Sequence, residues 1–254
     1  MTSATKTGGE WVRRFHRSPD SAARLVCFPH AGGSATYYFS LSERLAPVVE
    51  TLALQYPGRQ DRASEPALRN LAELADRSFE ALSRWSTGDK PLILFGHSLG
   101  SVLAFETARR LQDAGTAAAW VFTSGYPAPS VLRGGDIHRR GDAGIIEELR
   151  VVGGTDPVWL DNAEFMATVL PALEADYTAI ETHPRQIGVR LDSPLTMLVG
   201  DDDPHTTLAE ARSWADHTTA AFDLRVFSGG HFYLDAHQTE IAEMITGTVK
   251  EITA

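Results

Sequence analysis

Residues 94–101 read LFGHSLGS and place a serine between two glycines, at the point where an apolar run ends. That run, residues 91–95, is short and uninterrupted, which is typical of a strand buried on both faces of a parallel sheet. The residues after Ser98 have helical spacing. A strand that enters a helix through G-x-S-x-G exposes the serine hydroxyl, and the helix directs amide N–H groups toward a developing negative charge. Ser98 is therefore a candidate nucleophile.

The bulk composition limits the classes of protein to consider. A chain of 254 residues can form one large α/β domain. Its net charge of −10 argues against a nucleic-acid partner, whose binding face would be basic. The single cysteine, Cys27, lies in an apolar segment and is expected to be a buried strand residue. The N-terminus has no apolar leader and no run is long enough to span a bilayer, so we expect a cytoplasmic protein with no membrane partner.

Short apolar strands alternate with helical stretches along the chain. Strands are predicted at residues 24–28, 51–56, 91–95, 118–124, 194–199 and 223–227. Helices are predicted at residues 37–45, 68–85, 99–114, 207–216 and 239–252. This alternation predicts an α/β fold, with a mostly parallel central sheet and helices on both faces. We expect residues 1–10 to be a disordered tail and residues 11–254 to form a single domain, and nothing in the sequence demands more than a monomer.

The alternation breaks once, between Pro127 and Pro194. Residues 142–151 and 162–180 have helical patterns with no strand between them, so an insertion of about residues 128–193 is predicted. An insertion directly before the last strands would lie near the carboxyl ends of the sheet, where open α/β sheets bind ligands. We interpret it as a helical lid, and the alternative is a subdomain with a packing role.

A serine nucleophile needs a base and an orienting acid. After a G-x-S-x-G turn these follow in the order acid, then histidine. His231 lies in a glycine-rich turn after the last predicted strand, where the backbone has the freedom to bring the imidazole back to the serine. The acid comes from three consecutive aspartates after residues 194–199, and we prefer Asp203. Asp201 and Asp202 can instead cap the following helix or remain solvated.

A triad also needs donors for the oxyanion of the tetrahedral intermediate. The amide of Leu99 directly follows the nucleophile and is the first expected donor. The second is expected in the loop FPHAGGS at residues 28–34, whose small residues let the backbone approach an anionic oxygen, and we assign it to the amide of Ala31. The alternative is a plain glycine-rich turn. A phosphate loop is disfavoured because the pattern G-x-x-x-x-G-K-[ST] is absent from the sequence.

Six stretches between Trp11 and the C-terminal helix carry a family resemblance: FPHAGGSA (28–35), LQYPGRQDR (54–62), GHSLGS (96–101), LPALEADYTAIETH (170–183), GDDDP (200–204) and GGHFYL (229–234). Together they resemble the type II, stand-alone thioesterases that accompany polyketide synthases and nonribosomal peptide synthetases. The most specific are the first two stretches. The sequence departs from the family at Glu174, where arginine is usual, and at His183, where an aromatic residue is usual. Both departures bear on substrate preference.

The resemblance implies an α/β-hydrolase fold and hydrolysis of acyl groups from the phosphopantetheine thiol of acyl or peptidyl carrier proteins, to remove aberrant or stalled units. Ser98 would attack the thioester, His231 would accept its proton and Asp203 would stabilise the imidazolium. The amides of Ala31 and Leu99 would hold the oxyanion. No metal and no cofactor of its own is implied, because phosphopantetheine arrives on the partner.

The charge of the chain predicts how such a partner would dock. Carrier proteins are typically acidic, so a chain of net charge −10 needs a local basic patch to bind one. The candidates are Arg59 and Arg62 in one loop, and Arg133, Arg139 and Arg140 at the start of the insertion. The alternative is that these arginines are solvated surface residues.

Other functions remain open on the sequence alone. A general carboxylesterase or lipase-like serine hydrolase would use the same triad. A cofactor-free haloperoxidase-like hydrolase would share the fold. A non-catalytic binding protein of the same fold would usually lack a triad member, whereas this chain offers all three.

Overall fold

One seven-stranded sheet organises the computed structural model, which describes residues 11–131 and 135–254. The strands are β1 (Val12–Arg13), β2 (Ala23–Phe28), β3 (Val49–Leu54), β4 (Leu92–His97), β5 (Trp120–Ser124), β6 (Leu195–Gly200) and β7 (Phe222–Phe227). They lie in the order β1-β3-β2-β4-β5-β6-β7, and all pairs are parallel except β1 with β3. The predicted tail at residues 1–10 and the candidate Arg133 lie outside the described residues.

The six predicted strands are confirmed, with ends displaced by one or two residues. Every residue of β3, β4 and β6 is buried, which explains why these strands are mostly apolar and do not alternate between apolar and polar residues. Cys27 is buried on β2, as expected. Strand β1 was not predicted, because two residues are too few to show a period of two.

The helices are α1 (Phe39–Leu45), α2 (Leu71–Ser86), α3 (Leu99–Asp113), α4 (Gly141–Val152), α5 (Pro157–Leu160), α6 (Ala163–Glu181), α7 (Leu208–Arg212) and α8 (Gln238–Thr253). Leu25 and Val26 are neighbours on β2 but belong to different apolar clusters, because successive strand residues point to opposite faces. The cluster of Leu25 includes residues of α1 and α8, and that of Val26 includes residues of α2 and α3. The prediction of helices on both faces is confirmed.

Helices α4, α5 and α6 lie between β5 and β6 and are called the insertion below. They have their own buried apolar cluster, formed by Ile145, Leu160, Met166, Leu170 and Leu173. The four-residue helix α5 was not predicted, because one helical turn is too short for a periodic pattern. Every helix in the described part of the chain is too short or too polar to cross a bilayer.

The strand order determines where a site can form. The chain passes from β2 to β3 on one side and from β4 to β5 on the other, so the order reverses between β2 and β4. Loops at the carboxyl ends of two such strands diverge and leave a crevice. Residues 29–34, called the β2 loop below, and Ser98 after β4 lie at this crevice.

Candidate active site

Ser98 occupies a strained turn between β4 and α3. Its backbone has φ 54° and ψ −122°, which a residue with a side chain rarely adopts. Its N–H donates to the carbonyl of Ser124 on β5 at 2.8 Å. The turn is so tight that a Cβ on Gly96 would lie 1.9 Å from the carbonyl oxygen of Gly100. The glycine of the motif is therefore needed for the close approach of α3 to β4.

His231 and Asp203 form a buried pair. The imidazole Nδ1 lies 3.0 Å from Asp203 Oδ2 and 3.1 Å from Oδ1. The Asp203 side chain has no exposed surface and that of His231 is 4% exposed. Asp201 and Asp202 are exposed, and Asp201 accepts from the amide of Gly229 at 2.9 Å. In the tautomer that donates Nδ1–H to Asp203, His231 Nε2 is the basic nitrogen, which is the arrangement of a hydrolase triad.

The β2 loop directs its amides to different partners. The amide of Gly33 donates to the carbonyl of His30 at 2.9 Å, and that of Gly32 donates to Asp176 Oδ2 at 2.8 Å. These two amides are occupied, whereas Ala31 precedes them and lines the same cavity as Ser98. Leu99 is the first residue of α3, so its N–H has no acceptor within that helix. The geometry is compatible with the predicted donors, Ala31 and Leu99.

A cavity of about 610 Å³ opens at Ser98 and His231. The insertion supplies much of its apolar wall through Leu149, Leu160, Phe165, Met166 and Leu173. Its size and lining suit a flexible, largely apolar group of small-molecule size. A substrate in this cavity would contact the nucleophile at one end and the insertion along its length.

A carboxylate–histidine pair also lines this cavity. Glu148 Oε1 on α4 lies 2.8 Å from His205 Nε2, and the hydrogen bond from His205 lowers the pKa of Glu148. The backbone amide of His205 donates to Asp203 Oδ1 at 2.8 Å. The ring centroid of His205 is 5.3 Å from the ring centroid of His231. His205 was not predicted to have a role in the site. The signal available was its position two residues after Asp203, but its carboxylate partner is 57 positions away in the sequence.

Two further histidines lie near the site, His97 buried and His30 half-buried. Burial, with the charges of His231 and Arg59, lowers the pKa of His30 to about 3. Burial also holds the pKa of His97 well below its usual value, and its Nδ1 is 2.9 Å from Ser124 Oγ. Both rings are therefore neutral at neutral pH and are not bases of comparable strength to an exposed imidazole.

The docking prediction is wrong for Arg59 and Arg62. Each is only 6% exposed, so neither guanidinium belongs to a surface patch. Arg59 binds Asp176 through two N–H groups at 2.8 and 2.9 Å, and Arg62 binds a main-chain carbonyl and a carboxylate. These internal partners could not be predicted from the sequence. Arg139 and Arg140 are exposed.

The two departures from the family lie in different surroundings. Glu174 forms an exposed ion pair with Arg69 at 2.9 Å and is not among the residues that line the cavity of Ser98, so the expected link to substrate preference does not hold for Glu174. The side chain of His183 is 8% exposed, and its Nε2 lies 3.6 Å from Glu106 Oε1. Burial alone would raise the pKa of Glu106, but His183 and two arginines outweigh it and lower the pKa to about 2. His183 also lines the cavity, so its replacement of an aromatic residue changes the polarity of the wall.

A strained serine at a strand-to-helix turn, a His–Asp pair and candidate oxyanion amides meet at the switch point of a mostly parallel sheet. The fold and the site are those of a serine hydrolase with the α/β-hydrolase fold.

Comparison with known proteins gives the family. Residues 23–248 match the thioesterase domain family, so the chain belongs to it and is a serine hydrolase that acts on thioesters. It is 47% identical to the probable cadicidin biosynthesis thioesterase of Streptomyces griseus over 249 residues. This alignment covers 96% of this chain and 68% of that protein. It is 46% identical to thioesterase PikA5 of Streptomyces venezuelae, over 94% of this chain and 85% of that protein.

Solved structures give the same result. The structure of the type II thioesterase BorB from the borrelidin biosynthetic cluster superposes with a TM-score of 0.87 and 41% identity, over 94% of this chain and 97% of that one. YbtT, a type II thioesterase from the yersiniabactin pathway, superposes with a TM-score of 0.84 and 28% identity, over 96% of this chain and 100% of that one. The predicted fold class and the resemblance to type II thioesterases are confirmed.

Proposed function

We propose that this protein hydrolyses acyl groups from the phosphopantetheine thiol of acyl or peptidyl carrier proteins, and so removes aberrant or stalled units in polyketide or nonribosomal peptide biosynthesis. The observation that carries the proposal is that Ser98 and His231, whose imidazole is paired with Asp203, line one cavity of about 610 Å³. Support also comes from the similarity of nearly the whole chain to BorB, a type II thioesterase of a biosynthetic cluster.

The first half of the reaction forms an acyl-enzyme. Ser98 Oγ attacks the thioester carbonyl carbon while His231 Nε2 takes the hydroxyl proton. Asp203 keeps the imidazole in the required tautomer and stabilises the imidazolium. The carbonyl oxygen becomes an oxyanion that accepts hydrogen bonds from the amides of Ala31 and Leu99. The C–S bond then breaks, and the imidazolium returns its proton to the leaving thiolate.

The second half releases the acid. A water molecule loses a proton to His231 as its oxygen attacks the acyl-Ser98 carbonyl. The same two amides stabilise the second oxyanion. The C–O bond to Ser98 breaks, the serine recovers its proton from His231, and the carboxylic acid leaves. These steps need no metal or cofactor bound to this chain, because the phosphopantetheine arm arrives on the carrier.

The insertion would act as the lid and acyl-binding wall. Its apolar residues line the cavity next to Ser98, where they can contact the acyl chain while water is displaced. Polar side chains that line the same cavity, His183 and the Glu148–His205 pair, would favour acyl chains that carry hydroxyl or keto groups over plain hydrocarbon chains.

Docking of the carrier would use Arg139 and Arg140, which are exposed in the part of the chain that the structure describes. An acidic carrier is repelled by the net charge of −10, so encounter depends on such local positive charge. We expect Arg139→Glu to lower kcat/KM for an acyl-carrier protein and to leave kcat/KM for the corresponding acyl-pantetheine at the wild-type value. If the wild type and Arg139→Glu had equal kcat/KM for the acyl-carrier protein, Arg139 would not be part of the docking surface.

The test of the proposed function is intact-mass spectrometry of a carrier protein loaded with acetyl, propionyl or longer acyl groups. The wild-type enzyme should remove the acyl mass, and Ser98→Ala should not. The order of rates among the acyl groups would give the editing preference. A general carboxylesterase would cleave simple esters and leave the loaded carrier intact, and a non-catalytic binding protein would leave both intact. Either outcome would overturn the proposal.

A further inference from the structure

One buried carboxylate joins the insertion to the β2 loop. Asp176 lies on α6 and its side chain has no exposed surface. It accepts two hydrogen bonds from the Arg59 guanidinium, at 2.8 and 2.9 Å, and a third from the amide of Gly32 at 2.8 Å. Neither Arg59 nor Asp176 lines the cavity that holds Ser98. The pair therefore contacts the loop that supplies Ala31 without contacting a bound acyl group.

Arg59 also contacts the β2 loop directly. Its Nη1 donates to the carbonyl of Gly33 at 3.2 Å, so the pair holds both residues that follow Ala31. The loop also packs directly on α6. Gly32 has φ +71°, and a Cβ added there would lie 2.5 Å from Leu173 Cδ2. The position of the β2 loop is thus set by contacts to α6 and to Arg59.

Burial of such a pair has a cost that its geometry must repay. Removing both charges from water is unfavourable, and a buried ion pair is often no more stabilising than well-packed apolar residues. The ion pair instead provides a fixed arrangement. Two parallel N–H bonds from Arg59 define the plane of the Asp176 carboxylate, and Oδ2 of that carboxylate defines the direction of the Gly32 amide. An oxyanion hole depends on that kind of precision, since its donors must lie about 3 Å from an oxygen that forms only in the transition state.

We propose that Arg59 and Asp176 are positioning residues that hold the β2 loop against α6 and keep the Ala31 amide directed at the oxyanion. The inference rests on the oxyanion role of Ala31 in the proposed function, but it does not depend on a carrier protein as the substrate. Hydrolysis of a small thioester or ester uses the same oxyanion hole, so the pair can be tested on small substrates alone.

The test compares Asp176→Asn with Glu174→Gln. Asparagine keeps an oxygen for the Gly32 amide but loses the charge that binds Arg59. Glu174 is a matched control because it lies on the same helix and joins it to Arg69 in an exposed pair, at 2.9 Å. With p-nitrophenyl acetate and an acyl-N-acetylcysteamine thioester, we expect Asp176→Asn to lower kcat by about 10- to 100-fold with KM near the wild-type value. Glu174→Gln should retain wild-type kcat.

A second readout separates positioning from general loss of structure. A trifluoromethyl ketone adds to the serine and presents an oxyanion to the same donors, so its affinity should fall in parallel with kcat in Asp176→Asn. Should this variant not fold, Arg59→Lys decides the question, because lysine keeps the charge but cannot make the two parallel bonds. We then expect reduced kcat and reduced ketone affinity in a folded protein.

The proposal is overturned if the folded variant retains wild-type kcat, or if kcat falls while ketone affinity is unchanged. It is also overturned if Glu174→Gln lowers kcat to the same extent. Its failure is distinguishable from failure of the proposed function. Suppose that the wild-type enzyme does not hydrolyse acyl-carrier proteins, but that Asp176→Asn lowers its hydrolysis of esters. This result would support the positioning role of Arg59 and Asp176 and would refute the carrier-bound substrate.

Discussion

Substitution of Gly96 by alanine tests the geometry of the serine turn. The new Cβ would lie 1.9 Å from the carbonyl oxygen of Gly100 and 2.3 Å from its carbonyl carbon. Ordinary contact begins at 3.4 Å, so the first turn of α3 must move by about 1.5 Å relative to β4. Both contacting atoms belong to the backbone, so no side-chain rotation can relieve the overlap. Ser98 lies between Gly96 and Gly100 and must move with them.

The expected effects follow from that displacement. Misplacing a reacting group by about 1 Å costs about 100-fold in rate, so we expect Gly96→Ala to lower kcat at least that much. Overpacking of this kind also destabilises the fold by about 1–3 kcal/mol. Urea denaturation gives the stability, and acyl-thioester hydrolysis by the folded fraction gives kcat.

Gly247→Ala is the matched control. Gly247 is exposed within α8, and in the described part of the chain no atom lies within 4 Å of an added Cβ. Alanine there should stabilise the protein by about 1 kcal/mol through helix propensity and leave kcat unchanged. A Gly96→Ala enzyme with wild-type stability and kcat would refute the account of the turn.

Two further predictions concern single side chains. Asp203→Asn should lower kcat by about 10⁴-fold with little change in KM, because the amide stabilises the wrong tautomer of His231; a loss below tenfold, measured in steady-state kinetics, would remove Asp203 from the triad. His30 has its pKa lowered from 6.5 to about 3, so its contribution to stability is full above pH 6.5 and is lost as the pH falls toward 3. Between pH 7 and pH 5, urea denaturation should show a stability loss for His30→Phe that is smaller than that of the wild type by about 2 kcal/mol. Equal losses in the two proteins would contradict a His30 ring that stays neutral in the folded protein.

The fold was largely predictable because its central strands are buried on both faces. Such strands read as short continuous apolar runs, and helical periods between them fix the alternation. The elements that were missed, β1 and α5, have two and four residues, too few for either period. The long helix after residue 162 was predicted despite Pro171, because its apolar pattern continues on both sides of the proline.

The site was predictable where chemistry follows directly after a strand. Ser98, Asp203 and His231 each come shortly after a strand end, and carboxyl ends of parallel strands share one edge. The ion pair of Arg59 was not predictable, because its partner Asp176 is 117 residues away and is one of several acidic residues on its helix. The positive charge of Arg59 suggested a surface patch, whereas in the structure that charge is paired with the buried carboxylate of Asp176.

Trapping of the acyl-enzyme tests the central claim most directly. The enzyme is mixed with an acyl thioester, quenched rapidly in acid, digested and analysed by peptide mass spectrometry, with Ser98→Ala in parallel. We predict the acyl mass on the peptide that contains Ser98, with the modification at that serine, and neither label nor turnover in Ser98→Ala. Acylation at another residue, or wild-type turnover by Ser98→Ala, would contradict the assignment of Ser98 as the nucleophile.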